Sequence, residues 1–199
     1  MSTSIILAST SPYRRALLEQ LQLSFSCANP NVDEALLKGE TARDAALRLA
    51  QLKAQSIAIK HPLNVIIGSD QLASCGGRTL GKPGTHDKAF EQLKFMAGKT
   101  LTFHTGLCVI QGEVHHALVE DFQVHMRELT EQHIDSYLHR EQPYDCAGSF
   151  KVEGLGISLF ERLEGKDPNA LIGLPLISLI SILNALGCGP LQSNPQPRQ

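Results

Sequence analysis

The sequence predicts an α/β fold: a two-lobed mixed β-sheet flanked by helices, with a central cleft. Three observations lead there. Short apolar runs alternate with helical patterns from Ser4 to Asp70, as in βαβ units. Two longer strand-like segments, Thr100 to Ile110 and His115 to Met126, face each other across a Gln111-Gly112-Glu113 turn, which adds an antiparallel pair. Polar residues follow the early apolar runs, where open α/β sheets bind ligands.

The elements follow in order. Ser4 to Ala8 reads as a buried strand. Ser11 suits a helix N-cap and Pro12 the first helical position, with Leu17, Leu18 and Leu21 as the inward stripe of a helix to about Gln22. Phe25 to Ala28 is a short strand, and Asn29 to Gly39 a polar loop holding Asp33 and Glu34. An Ala- and Leu-rich helix spans about Thr41 to Lys60, and Pro62 ends the helical region. Val65-Ile66-Ile67 reads as a strand buried on both faces, expected to break at Gly68-Ser69 and run out at Asp70. A turn at Cys75-Gly76-Gly77-Arg78, a loop at Gly81-Lys82-Pro83 and a helix from His86 to Ala97 come next, with Gly98 at the helix boundary. After the strand pair, Thr130 to Arg140 is amphipathic through Ile134, Tyr137 and Leu138, and Pro175 opens a buried final helix.

At 199 residues the chain predicts a single domain of two lobes over residues 1–188. The Pro-bearing segment 189–199 reads as a disordered tail. A net charge of −2 supplies no global field for nucleic acid, so an anionic ligand requires locally concentrated cations. The five cysteines are scattered without a C-x-x-C, which argues against a zinc site or a disulfide framework and for a cytoplasmic location. The N-terminus lacks signal-peptide features. The most apolar stretch, Leu171 to Leu186, is interrupted by Gly173 and Pro175 and falls short of a membrane span.

Candidate chemistry concentrates in a few places. A strand feeding Ser9-Thr10-Ser11 and a helix N-terminus makes an anion site. Arg14 and Arg15 in that first turn oppose the helix dipole, which favours a phosphate partner over simple capping. Lys53 shares a helix face with Ala46, Leu49 and Ile57, so it must snorkel or meet an anion. Lys82 is held between two backbone punctuators, and Glu34 with Asp33 offers carboxylate oxygens for a metal. Asp70 can hold a metal ion or take a proton from water. His115 and His116 point to opposite strand faces, and no histidine is assigned a role. Phosphate-binding loops of the G-x-x-x-x-G-K-[ST] type, G-x-G-x-x-G fingerprints and G-x-S-x-G elbows are missing, which disfavours P-loop kinases, Rossmann dehydrogenases and α/β-hydrolases.

Taken in order, these segments resemble the Maf family of nucleotide pyrophosphatases. The matching pieces are Leu7-Ala8-Ser9-Thr10-Ser11-Pro12-Tyr13-Arg14-Arg15, Val32-Asp33-Glu34, the Lys53 helix, Gly68-Ser69-Asp70-Gln71 and Gly81-Lys82-Pro83. They continue with His104-Thr105-Gly106, Ala147-Gly148-Ser149-Phe150-Lys151-Val152-Glu153-Gly154 and Gly173-Leu174-Pro175. The resemblance implies an inosine-triphosphate-pyrophosphatase-like fold and a hydrolase acting on phosphoric anhydrides. It implies Asp70 as the catalytic proton acceptor, and Ser11, Arg14, Lys53 and Lys82 as phosphate ligands. Mg²⁺ or Mn²⁺ would be held by Glu34 and Asp70.

Many family members carry Arg, Thr and Gln where this chain has Tyr13, Gln71 and Glu153, and those resemble dTTP/UTP pyrophosphatases. The present trio is similar to the bacterial subgroup that hydrolyses 7-methyl-GTP to 7-methyl-GMP and pyrophosphate. The chemistry agrees: an aromatic face at Tyr13 attracts the cationic base, and the Glu153 carboxylate can accept from guanine N1–H and N2–H. Gln71 can meet base or phosphate. The expected partner is a modified nucleoside triphosphate, with no nucleic acid and no membrane; a homodimer stays open. The rival readings are a dTTP/UTP or other modified-nucleotide pyrophosphatase and a non-catalytic regulator of cell division.

Overall fold

The computed structural model describes residues 4–192. Among the described residues, seven strands form one mixed sheet: β1 (Ile5–Leu7), β2 (Phe25–Cys27), β3 (Val65–Cys75), β4 (Arg78–Leu80), β5 (Thr100–Gln111), β6 (Val114–Met126) and β7 (Phe160–Gly165). The helices are α1 (Pro12–Glu19), α2 (Ala42–Ala58), α3 (His86–Met96), α4 (Glu131–Glu141), α5 (Pro168–Ile172) and α6 (Leu176–Ala185). Sheet order is β2-β1-β3-β5-β6-β7, with β4 paired to β3. β1 pairs in parallel with β2 and β3, and the remaining pairings are antiparallel.

The chain leaves β1 for β2 on one side and returns from β2 to β3 on the other. Right-handed crossovers then demand helices on opposite faces. The side chains agree. Leu17 and Leu18 of α1 pack with Ile5, Leu7, Val65 and Ile67 and with Leu179 and Leu183 of α6. Ala50, Ala54 and Ile57 of α2 pack with Ile6, Ala8 and Ile66 on the other face. A third apolar cluster, including Leu93, Met96, Phe103, Phe122, Tyr137 and Phe150, fills the far end of the long strands. The connections from β1 and β3 diverge, and that divergence opens a crevice at the carboxyl end of β1.

Local signals are realised closely. Ser11, Thr41, Thr85 and Thr130 each cap a helix through a side-chain oxygen. Gly76 and Gly77 turn the β3–β4 hairpin with φ of +54° and +77°, a backbone twist that matches the strands.

One expectation is corrected. β3 does not run out at Asp70 but continues to Cys75, paired residue by residue with β5. Gly68 does not break the strand. A Cβ there would run into the backbone of Ala50 and Ala54 in α2, so glycine is required by the close approach of the helix. What ends near Asp70 is the parallel pairing, since β1 stops at Leu7 opposite Ile67. β7 and the short α5 carry no clear periodic signal in the sequence. Of the expected tail, Gly189–Gln192 forms a turn against the end of α6, where Gln192 Nε2 donates to the Asn184 carbonyl at 2.8 Å. Residues 193–199 lie outside the described residues.

Candidate active site

The site is built on the contact of α2 with the sheet. Ala46, Ala50 and Ala54 recur one turn apart and lie over Gly68 and Gly106, whose missing side chains let the helix backbone sit directly on β3 and β5. Lys53 shares this helix and is 5% exposed. Its Nζ lies 2.5 Å from Asp70 Oδ1 and 2.7 Å from Glu34 Oε1. The lysine therefore meets anions instead of snorkelling. Its hydrophobic stem stays on the apolar stripe while the ammonium joins two carboxylates.

Arg14 approaches Asp70 from the opposite wall, with Nη2 at 3.9 Å from Oδ1. Its Nε donates to the Gly173 carbonyl at 2.9 Å, which fixes the guanidinium at the crevice. Burial pulls the Arg14 pKa down, opposed by the charges of Asp70 and Glu34. Ser69 Oγ is 2.9 Å from the same carbonyl and 2.8 Å from that of Gly106, so β3, β5 and the Gly173 bend are fastened together behind Asp70. Ser11 Oγ accepts from the Arg14 N–H at 3.4 Å.

The polar loop is likewise tied down. Arg48 grips Glu40 through two nitrogens, at 2.6 and 2.8 Å, and also reaches the Ala35 carbonyl. That bond holds the Glu40 carboxyl down at about 2. Glu34 is delivered to Lys53 as a result. Asp33 turns away and accepts from the Ala35 N–H instead.

A cavity of about 920 Å³ covers these groups. It is lined by Ser11, Tyr13, Arg14, Glu34, Lys53, Asp70, Gln71, Lys82 and Glu153, but not by Asp33 or by Arg15, which pairs with Glu19 at 2.9 Å on the helix surface. Lys82 is exposed and forms no ion pair among the described residues. Gln71 has a structural duty as well: its Nε2 lies 2.7 and 3.0 Å from the carbonyls of Ala170 and Leu171 and 3.1 Å from Thr105 Oγ1. Its donors are thereby engaged by α5. The His104-Thr105-Gly106 segment acts from behind, with Thr105 bonded to Ala170 and Gly106 accommodating α2.

Glu153 is exposed at the rim. Its loop is held by α4, where the Lys151 N–H donates to the Tyr137 hydroxyl at 3.1 Å and the Leu155 N–H to Glu141 at 2.8 Å. Ser149, with φ of +60°, closes the preceding turn by donating to Gln92 Oε1 at 2.6 Å.

Sequence reasoning missed Asp145, Cys146 and Lys151, which also line the cavity. Burial, then the charges of Cys146 and Asp145 and a bond to Cys146, push the Tyr13 hydroxyl up to about 12, with a smaller contribution from Glu153. Burial, then Asp145, likewise raises the Cys146 thiol to about 11. With the Cys146 thiol neutral below about pH 11, the negative charges beside Tyr13 are those of Asp145 and Glu153. No periodic signal marks Asp145; only the fold carries it to Tyr13.

Chemically, one end of the cavity gathers cations around a buried carboxylate, and the other presents an aromatic ring flanked by acids. That suits an elongated ligand with an anionic end and a cationic or donor-rich end.

The family model for Maf-like proteins matches residues 4–186. A protein named 7-methyl-GTP pyrophosphatase from Cupriavidus pinatubonensis (strain JMP 134 / LMG 1197) is 54% identical over 185 residues, covering 92% of this chain and 93% of its own. Among solved structures, a HAM1 protein from Coxiella burnetii is similar at 13% identity and a TM-score of 0.48, covering 92% of this chain and 100% of that one. A nucleoside-triphosphatase / dITP/XTP pyrophosphatase from Mycobacterium abscessus ATCC 19977 / DSM 44196 shows 16% identity and a TM-score of 0.41, covering 70% and 96%. With the family match spanning nearly the whole chain and a relative of this identity alongside it, the chain belongs to the Maf-like protein family.

Proposed function

We propose that this chain is a nucleoside triphosphate pyrophosphatase that hydrolyses 7-methyl-GTP to 7-methyl-GMP and pyrophosphate. The observation that carries this reading is the single cavity in which Asp70 faces Lys53 and Arg14 at one end and Tyr13 stands among Asp145, Cys146 and Glu153 at the other. The name of the 54% identical relative supports it.

Asp70 takes a proton from the attacking water, whose oxygen bonds to the α-phosphorus as the bond to the bridging oxygen breaks and pyrophosphate leaves. A positioned base of this kind contributes roughly 10²–10⁴-fold. Lys53 and Arg14 orient the carboxylate and meet phosphate oxygens, Ser11 holds the N-terminus of α1 at the phosphates, and Lys82 covers the departing group. Tyr13 places its ring on the cationic base, and Glu153 accepts from N1–H and N2–H. Asp145 adds negative charge beside that base. Gln71, bonded to α5 through its amide nitrogen, keeps its oxygen for the ligand.

A divalent cation completes the reading. The charges of Lys53 and Arg14 are already balanced by Asp70 and Glu34, so Lys82 and Lys151 alone do not neutralise a triphosphate. The donor set fits Mg²⁺ or Mn²⁺: Glu34 and Asp70 converge on one ammonium and offer only oxygens. Glu34 and Asp70 would hold the ion, which would supply charge neutralisation at the phosphates. A cytoplasmic setting belongs to the same proposal: all five cysteines are free, and no helix among the described residues is long and apolar enough to cross a membrane.

The test is pyrophosphate release from 7-methyl-GTP, GTP, dTTP and UTP, with and without Mg²⁺. The expected result is Mg²⁺-dependent turnover with 7-methyl-GTP preferred. Preference for dTTP or UTP overturns the base assignment, and binding without release overturns the enzymatic reading.

A further inference from the structure

Outside the cleft, α3 and α4 bring together three metal-ligating side chains. His86 opens α3, while Asp135 and His139 lie one turn apart in α4. One ligand atom from each lies within 4.8 Å of the others, and among the described residues this is the cluster of its kind. Asp135 Oδ1 stands 3.6 Å from His86 Nε2 and 3.4 Å from His139 Nδ1. A tetrahedral ion with bonds of about 2.0–2.1 Å needs ligand separations of about 3.3–3.4 Å. The two separations sit close to that edge length, the second of them for a His139 Nδ1 that must first release the Asp135 carbonyl.

A further bond settles the orientation of His86. Its Nδ1 is 3.1 Å from the Tyr144 hydroxyl, so Nε2 is the nitrogen that faces Asp135. Partners of this kind orient metal-bound imidazoles. His139 Nδ1 is 2.9 Å from the Asp135 carbonyl oxygen. As a donor there, the ring offers Nε2 to an ion, or Nδ1 once it releases the carbonyl. Two imidazoles and one carboxylate suit zinc and disfavour magnesium, unlike the all-oxygen carboxylates of the cleft.

We propose that His86, Asp135 and His139 form a zinc site, separate from the cleft, with water as the fourth ligand. Its place in the fold gives it a consequence. The Tyr144 that orients His86 also accepts the Gly84 N–H at 3.0 Å through its carbonyl. Gly84 follows the Lys82 loop, and Tyr144 precedes Asp145 and Cys146 on the cavity wall. Zinc would clamp α3 to α4 where these two wall segments meet.

The test is calorimetric titration of Zn²⁺ into the full chain without added histidines, in excess Mg²⁺. One zinc per chain is expected, retained in Asp70→Asn and weakened by at least about tenfold in His86→Gln and His139→Gln. Asp135→Asn gives the same reading should either histidine variant fail to fold. Co²⁺ in place of Zn²⁺ should give tetrahedral d–d absorption that the same substitutions abolish. Zinc binding as tight in all three variants as in the unsubstituted chain, or lost in Asp70→Asn, overturns the proposal.

Discussion

Gly106 lies directly across the β3–β5 pairing from Asp70, and the space beside its Cα is occupied by the backbone of Ala46 in α2. The absence of a side chain opposite Asp70 is what lets α2 come close enough for Lys53 to reach that carboxylate. Packing and chemistry share one residue.

Gly106→Ala should therefore destabilise the fold and impair the site together. The added methyl meets backbone, which cannot swing aside. Overpacking of this kind costs about 1–3 kcal/mol, and a chain of this size should melt roughly 2–12 °C lower. Gly81→Ala is the control, because a Cβ there meets nothing within 4 Å. Thermal melts of the two variants check the contrast; equal shifts would remove the packing argument.

Asp70→Asn should stay folded and lose activity by roughly 10²–10⁴-fold, since Lys53 keeps Glu34 as a partner. Lys53→Met should behave differently. It leaves a buried carboxylate with only the more distant Arg14, and breaking a buried pair in this way costs about 3–5 kcal/mol, with the lower end expected here. Urea midpoints beside pyrophosphate-release rates separate the two effects. An Asp70→Asn enzyme with wild-type turnover would end the base-catalysis role.

The Tyr13 hydroxyl should make stability fall in strong alkali. Its ordinary value is 10.0 and the folded chain raises it to about 12. The unfolded chain therefore gives up its proton first. The contribution is fully present below about pH 10 and is lost as pH rises toward about 12. Tyr13→Phe should lose less stability than the unsubstituted chain between pH 9 and pH 11, measured by urea unfolding. The same variant retains an aromatic face and should keep its preference for 7-methyl-GTP over GTP, whereas Tyr13→Ala should lose up to about tenfold.

Cysteine reactivity should follow the thiol environments. Burial raises both Cys108 and Cys146 to about 11, while Cys27 is exposed. At pH 8 a thiol with that value is only about one part in a thousand thiolate. Iodoacetamide followed by peptide mass spectrometry should find Cys27 labelled first and Cys146 late, although Cys146 lines an open cavity. Early labelling of Cys146 would contradict the assigned environment.

Much of the site was legible because its signals are local. Ser11 and Pro12 announce a helix N-terminus by their own backbone preferences, and the structure places both at the expected cap positions. The spacing of Ala46, Leu49, Lys53 and Ile57 places a lysine on a buried helix face, and Lys53 is indeed buried. Other features gave no such signal. Gly68 looked like a strand breaker, yet β3 passes through it, because the demand for glycine comes from a helix that contacts the strand only after folding. Gln71 gave no sign that its amide would be engaged by carbonyls of α5, far along the chain. His86 and His139 looked unrelated because their neighbourhood depends on how α3 packs against α4.

The order of most elements, the Ser11 cap, the turns at 75–78 and 111–113 and the Maf resemblance follow from the residues alone, but β4, β7 and α5 do not, since backbone propensity and apolar periodicity act between near neighbours in the chain and those short elements carry little of either. Which carboxylate oxygen Lys53 meets, where Asp145 stands relative to Tyr13, and how a carbonyl at position 173 anchors Arg14 are settled only by tertiary structure. Those relationships join segments separated by most of the sequence, and they depend on sheet register and helix packing that no local stretch encodes.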